Sequence, residues 1–137
     1  MPRILSIDYG GKRTGIASTD PMQIIASPLT TVDTEKLMPF LEDYLQREEV
    51  ECMVVGEPFR ADGSHSNIEV EIKKFIANFS KKFPNLPIER VDESFSSQKA
   101  KEALIQSGVK KKKRREKKLL DSTAATIILQ EYLETRL

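Results

Sequence analysis

The sequence predicts an α/β fold, a mixed β-sheet with helices on its faces. An apolar run, Ile4, Leu5 and Ile7, ends on Asp8 and opens at once into a glycine-rich turn, as a buried strand does on reaching a sheet edge. Short apolar runs of strand type alternate with longer stretches whose apolar residues recur at helical spacing. The chain has 137 residues, a common size for a single core, so one domain spanning 1–137 is expected.

The first strand has apolar residues on both faces, as in a central strand covered on both sides. In the following Tyr9-Gly10-Gly11-Lys12-Arg13-Thr14-Gly15, the glycines permit a tight turn and close backbone approach by a ligand. Lys12 and Arg13 could hold a phosphate there, or the segment is simply a polar turn between strands. Residues 15–18 and 24–27 bracket Thr19-Asp20-Pro21-Met22, which predicts an antiparallel hairpin, with 31–32 completing or extending its second arm. Asp33 or Thr34 then caps a helix through about Arg47, with Leu37, Phe40, Leu41, Tyr44 and Leu45 on one face. Pro39 falls near its first turn, where the missing N–H is tolerated.

Residues 51–56 read as a short buried strand stopped by Gly56 and Pro58, and 59–66 as a polar loop. A second amphipathic helix, 67–83, buries Ile68, Ile72, Phe75, Ile76 and Phe79, and Pro84 and Pro87 close it. The last strand, 88–91, runs into Asp92-Glu93-Ser94. A third helix covers 98–106 and stops at Ser107-Gly108. A final helix, 117–133, carries Asp121, Ala124, Ala125, Ile128 and Leu129. A hairpin followed by βαβ units gives a mixed sheet flanked by helices.

Composition narrows the function classes. No apolar stretch approaches the ~20 residues of a membrane span, and because Met1-Pro2-Arg3-Ile4 leads straight into a strand no signal peptide is expected. The single cysteine, Cys52, lies in an apolar run and reads as a buried thiol, so a cytoplasmic protein without an intrachain disulfide is expected. The net charge of +1 conceals an asymmetry. Residues 110–118 hold eight basic side chains and one acid, whereas the remaining 128 residues carry 14 basic and 20 acidic ones. Lys110, Lys111, Lys112, Lys113, Arg114 and Arg115 therefore form either a polyanion grip or a solvated loop, and the concentration of charge favours nucleic acid.

Acids gather where the parallel strands end. Asp8, Glu57 and the pair Asp92 and Glu93 all fall at the carboxyl ends of such strands, the edge at which open α/β sheets bind ligands. Asp121 sits on the small-residue face of the final helix, where an unpartnered aspartate would be costly. A divalent cation among these acids would relieve that cost. Oxygen ligands without neighbouring His or Cys suit Mg²⁺ or Mn²⁺ rather than Zn²⁺. His65, the single histidine, lies in a polar loop and reads as a surface residue or a substrate contact.

Taken together, these segments resemble the YqgF (RuvX) family of small ribonuclease H-like proteins. The resemblance runs through Asp8 to Ala17, Asp20-Pro21, Val54-Val55-Gly56-Glu57-Pro58, Asp62-Gly63-Ser64, Asp92 to Ser97, the basic run and Leu119 to Ala125. It implies a five-stranded ribonuclease H-like sheet and a divalent-metal nuclease associated with 5′-end maturation of the 16S ribosomal RNA precursor, with an older association with Holliday junction resolution. Carried over by position, the catalytic and metal-binding acids are Asp8, Glu93 and Asp121, with Gly10, Lys12 and Arg13 supporting phosphate. Two departures stand out. Ser94 occupies a position that is usually basic, and Glu57 one that is usually apolar. Glu57 is either an added ligand or a solvent-facing acid, and strand alternation alone does not choose between Asp92 and Glu93 because a one-residue slip reverses the faces.

The expected partner is nucleic acid, structured RNA ahead of branched DNA, in the setting of a ribosomal precursor particle. A Holliday junction resolvase and a non-catalytic RNA-binding assembly factor are the alternatives. A phosphate-binding module of the actin and sugar-kinase type shares the opening motif, but its nucleotide cleft needs two domains. Oligomeric state is left open.

Overall fold

The structure, a computed structural model, describes residues 2–93 and 117–135, the side chains of 117–120 excepted. The expected third helix, Ser94 and the basic residues Lys110 to Arg115 lie outside the described residues. Five strands, β1 (Arg3–Asp8), β2 (Arg13–Thr19), β3 (Ala26–Asp33), β4 (Val50–Glu57) and β5 (Ile88–Asp92), form one sheet in the order β3-β2-β1-β4-β5. β2 pairs antiparallel with β1 and β3, while β4 lies parallel to β1 and β5. The helices are α1 (Leu37–Arg47), entered through a 3-10 turn at Thr34–Lys36, α2 (Glu69–Lys82) and α3 (Lys117–Thr135).

The hairpin departs from its expected bounds. β3 begins at Ala26 and continues to Asp33, while Ile24 and Ile25, expected in its second arm, belong to the connecting loop and are 68% and 61% exposed. Asp20 is the cause. Its carboxylate accepts the backbone N–H groups of Met22, Ile24 and Ile25, which are thereby committed to the loop and not to a sheet ladder.

Strand alternation divides the core in two. Leu5 and Ile7 of β1 and Met53 and Val55 of β4 pack with Leu37, Leu41 and Tyr44 of α1 and Ile72, Phe75 and Phe79 of α2. Ile4, Cys52 and Val54 pack on the other face against Ala125, Ile128 and Leu129 of α3. Cys52 is a buried thiol there, as expected. Two devices bring α3 onto the sheet. Ser6 Oγ donates to the Ala125 carbonyl at 2.5 Å, and Gly15 of β2 has no Cβ to collide with the Asp121 carbonyl. Gly15 thus serves helix packing, where the sequence suggested approach by a ligand.

Candidate active site

The same alternation sorts the acids at the strand ends. On β1, Ile4, Ser6 and Asp8 share the α3 face; on β4, Cys52, Val54 and Gly56 do. On β5, Val91 packs into the α3 core while Ile88 packs into the other, so Glu93 follows Val91 and Asp92 follows Ile88 and Arg90. Glu57 follows Met53 and Val55 to the α1/α2 face. Asp8 and Glu93 therefore meet under α3, whereas Glu57 and Asp92 do not join them.

The Asp8 and Glu93 side chains hydrogen-bond to each other. The Glu93 backbone N–H donates to the Glu57 carbonyl at 3.2 Å, and its carboxyl lies over Gly56, where any Cβ would strike Oε2 and Ile128. Burial pushes Asp8 up to about 6, against the lowering effect of its hydrogen bond to Glu93 and with a further rise from the Asp121 charge. Burial pushes Glu93 up to about 9, and the Asp8 charge and their shared hydrogen bond add to the rise. The two carboxyls thus resist ionising together and share a proton near neutral pH. Glu93 Oε2 is buried without a hydrogen-bond partner, alone in this among the described side chains.

Asp121, near the start of α3, is half-buried and pairs with Arg13, whose Nε lies 3.4 Å from Oδ2. Arg13 in this structure is an Asp121 partner before it is a phosphate ligand. The turn between β1 and β2 is pinned by threonines. Thr34 Oγ1 donates to the Gly10 carbonyl at 2.6 Å and lies 2.8 Å from Thr14 Oγ1, and Lys12 is exposed with its carbonyl accepting the Thr34 N–H.

The opposite face holds a second charged cluster, most of it unforeseen. Glu57 is neither beside Asp8 nor simply solvated: it is half-buried, with Oε2 2.9 Å from His65 Nε2. His65, exposed as expected, stacks on Phe59 and lies 3.9 Å from Glu69. Glu69 is 3% exposed and takes a two-pronged bond from Arg90, at 2.6 and 3.1 Å, which holds its carboxyl below the usual range. Arg90 also donates to the carbonyls of Val55 and Gly56. Glu69 sits three residues before Ile72 and seven before Ile76, on the apolar face of α2, and that spacing is the signal that could have found it.

The acids under α3 have the chemistry of a cation site. All donors are carboxylate oxygens and one is buried and unpartnered, a donor set that fits a hard cation. The profile of the RuvX family, described as Holliday junction resolvase, matches residues 2–135. The chain belongs to the RuvX family. Relatives carrying the provisional name pre-16S rRNA nuclease include one from Christiangramia forsetii, 56% identical across 97% of this chain and 98% of the relative. Another, from Flavobacterium psychrophilum, is 52% identical over the full length of both chains. Among solved structures, Thermus thermophilus RuvC in complex with a Holliday junction substrate superposes with a TM-score of 0.63, covering 99% of this chain and 96% of that one at 18% identity. RuvC from the same organism, in a second structure, gives 0.56 at 16% identity over 98% and 95% of the two chains. The chain thus has the RuvC fold, the ribonuclease H-like sheet that the resemblance implied. No helix among the described residues is long and apolar enough to cross a membrane.

Proposed function

We propose that this chain is a divalent-metal-dependent nuclease that hydrolyses phosphodiester bonds, acting in the cytoplasm in 5′-end maturation of the 16S ribosomal RNA precursor. The observation that most supports the reading is the Asp8 and Glu93 pair, whose carboxyls hydrogen-bond to each other under α3 and leave Glu93 Oε2 buried without a partner. Asp8, Glu93 and Asp121 would hold the ion, and their oxygen-only donor set favours Mg²⁺ or Mn²⁺. When bound, the ion supplies polarisation of the phosphodiester, activation of water and stabilisation of the leaving oxygen.

The chain's own residues have definite tasks. Asp8 and Glu93 would have to give up their shared proton to hold the ion, so affinity for it would rise with pH. Gly56 leaves the space Glu93 occupies, and Gly15 lets α3 bring Asp121 to the same side of the sheet. Lys12 at the turn, and Arg13 once released from Asp121, attract substrate phosphate. The basic residues from Lys110 to Arg115 add a sequence-independent grip that weakens as salt rises.

RNA is favoured as substrate by the names of the full-length relatives; the likeness to junction-bound RuvC carries fold alone. Resolution of DNA junctions is kept as the second reading because the family description names it. The test is cleavage of a labelled 16S precursor fragment beside a four-way DNA junction, with Mg²⁺, Mn²⁺ or EDTA, by wild type and Asp8→Asn. Metal-dependent cutting of the RNA, lost in Asp8→Asn with binding retained, is the expected result. RNA bound but left intact by both proteins would favour a non-catalytic assembly factor.

A further inference from the structure

The charged cluster behind the sheet lies at the same strand ends as the acids under α3, and its geometry suggests a role. Arg90 spends its guanidinium on four acceptors: both Glu69 oxygens, the Val55 carbonyl at 3.2 Å and the Gly56 carbonyl at 3.0 Å. Glu69 is the first residue of α2, so one side chain ties together the end of β4, the start of α2 and β5. Gly56 is the floor beneath the Glu93 carboxyl, and the next residue, Glu57, accepts the Glu93 backbone N–H. The clamp thus holds Gly56 directly, and Glu57 through the peptide that joins it to Gly56, from the opposite face of the sheet. Glu57, His65 and Glu69 also bring ligand atoms within 4.8 Å of one another, which could suit a cation. Both Glu69 oxygens are already committed to Arg90, and the positive charge such a cation would bring is already present.

We propose that Arg90, clamped by Glu69, is a positioning residue for the Glu93 carboxylate: it immobilises Gly56 and Glu57, against which Glu93 is set. The claim rests on the nuclease reading for its catalytic consequence, though not for its structural one. A lysine cannot reproduce it, because one ammonium has neither the fork nor the reach to serve a carboxylate and two carbonyls at once.

The experiment compares wild type, Arg90→Lys, Arg90→Met and the double variant Arg90→Met/Glu69→Leu. The double variant removes both charges and so restores folding if the single variant is compromised by an orphaned glutamate. Hydrogen exchange is followed at the Glu57 and Glu93 amides, Mn²⁺ affinity is measured without substrate, and cleavage is resolved into kcat and KM. In the folded double variant we expect faster exchange at Glu93, Mn²⁺ affinity lower by about 10–100-fold and a matching fall in kcat with KM little changed. Wild-type exchange at Glu93 in that variant would overturn the proposal, whatever the activity. If exchange changes but wild-type protein neither binds Mn²⁺ nor cuts nucleic acid, the nuclease reading fails and the positioning of Glu93 stands.

Discussion

Glu69 and Glu93 are two carboxylates withdrawn from water at the same end of one sheet, on opposite faces, with opposite outcomes. Glu69 faces an arginine fork that holds its pKa low and satisfies both of its oxygens. Glu93 faces another carboxyl, keeps a proton up to a pH of about 9 and leaves Oε2 without a partner. Burial disfavours the charged form of both, so the difference lies in the neighbour. Glu69, with its own cation, is structural; Glu93, set against a second acid, is where the proposed function would seat a cation from outside.

The largest expected contrast is in activity. Glu93→Gln or Asp8→Asn should reduce cleavage beyond ~100-fold, the upper end for a residue that only supports a metal ligand. Glu69→Gln, which acts only by loosening Arg90, should reduce it by less than that. Single-turnover rates on the same RNA check both, and equal losses at Glu69 and Glu93 would erase the distinction.

Stability should move in opposite directions for the same chemical change. Glu69→Gln breaks a buried pair and leaves Arg90 short of its counter-ion, at a cost of about 3 kcal/mol. Glu93→Gln, in protein stripped of divalent ions at pH 8, removes a group that resists ionisation and should raise the melting temperature. Each kcal/mol is worth about 4 °C in a chain of this size. Thermal unfolding in EDTA measures both.

pH separates the two acids in the same way. Asp8 and Glu93 are raised from 3.8 and 4.5 to about 6 and about 9, so the native state holds more protons than the unfolded chain across that window. The stability of metal-free protein should therefore fall as pH rises from about 4 to about 9, with divalent ions opposing the loss. Glu69 has the reverse sign. Its lowered pKa contributes stability above the unfolded value of 4.5, lost as pH falls below it. Melting curves of wild type and Glu93→Gln across this range isolate the first effect. The smallest change is expected from His65→Ala, whose contact with Glu57 is part-exposed and worth about 0.2–1 kcal/mol.

Much of this contrast was legible in the sequence, on one side only. Apolar periodicity located five strands and three of the helices. The strand-end rule drew attention to Asp8, Glu57, Asp92 and Glu93. What sorted these acids was register: Val91 packs against α3, so Glu93 lies beside Asp8 and Asp92 on the opposite face. A one-residue slip would exchange them, and local pattern carries no guard against that. Arg90 and Glu69 went unread because they are 21 residues apart and an ion pair across two elements leaves no spacing rule. The hairpin was misplaced for a local reason, since Ile24 and Ile25 have strand propensity but their N–H groups go to Asp20.

The most direct measurement is calorimetric titration of Mn²⁺ into the metal-free protein at pH 7 in two buffers of different ionisation enthalpy, which yields affinity and protons released together. Binding with release of about one proton, both impaired in Glu93→Gln and retained in His65→Ala, is the expected result. Binding unaffected by Glu93→Gln, or no binding by wild type, would contradict the assignment of Asp8 and Glu93 as the cation site.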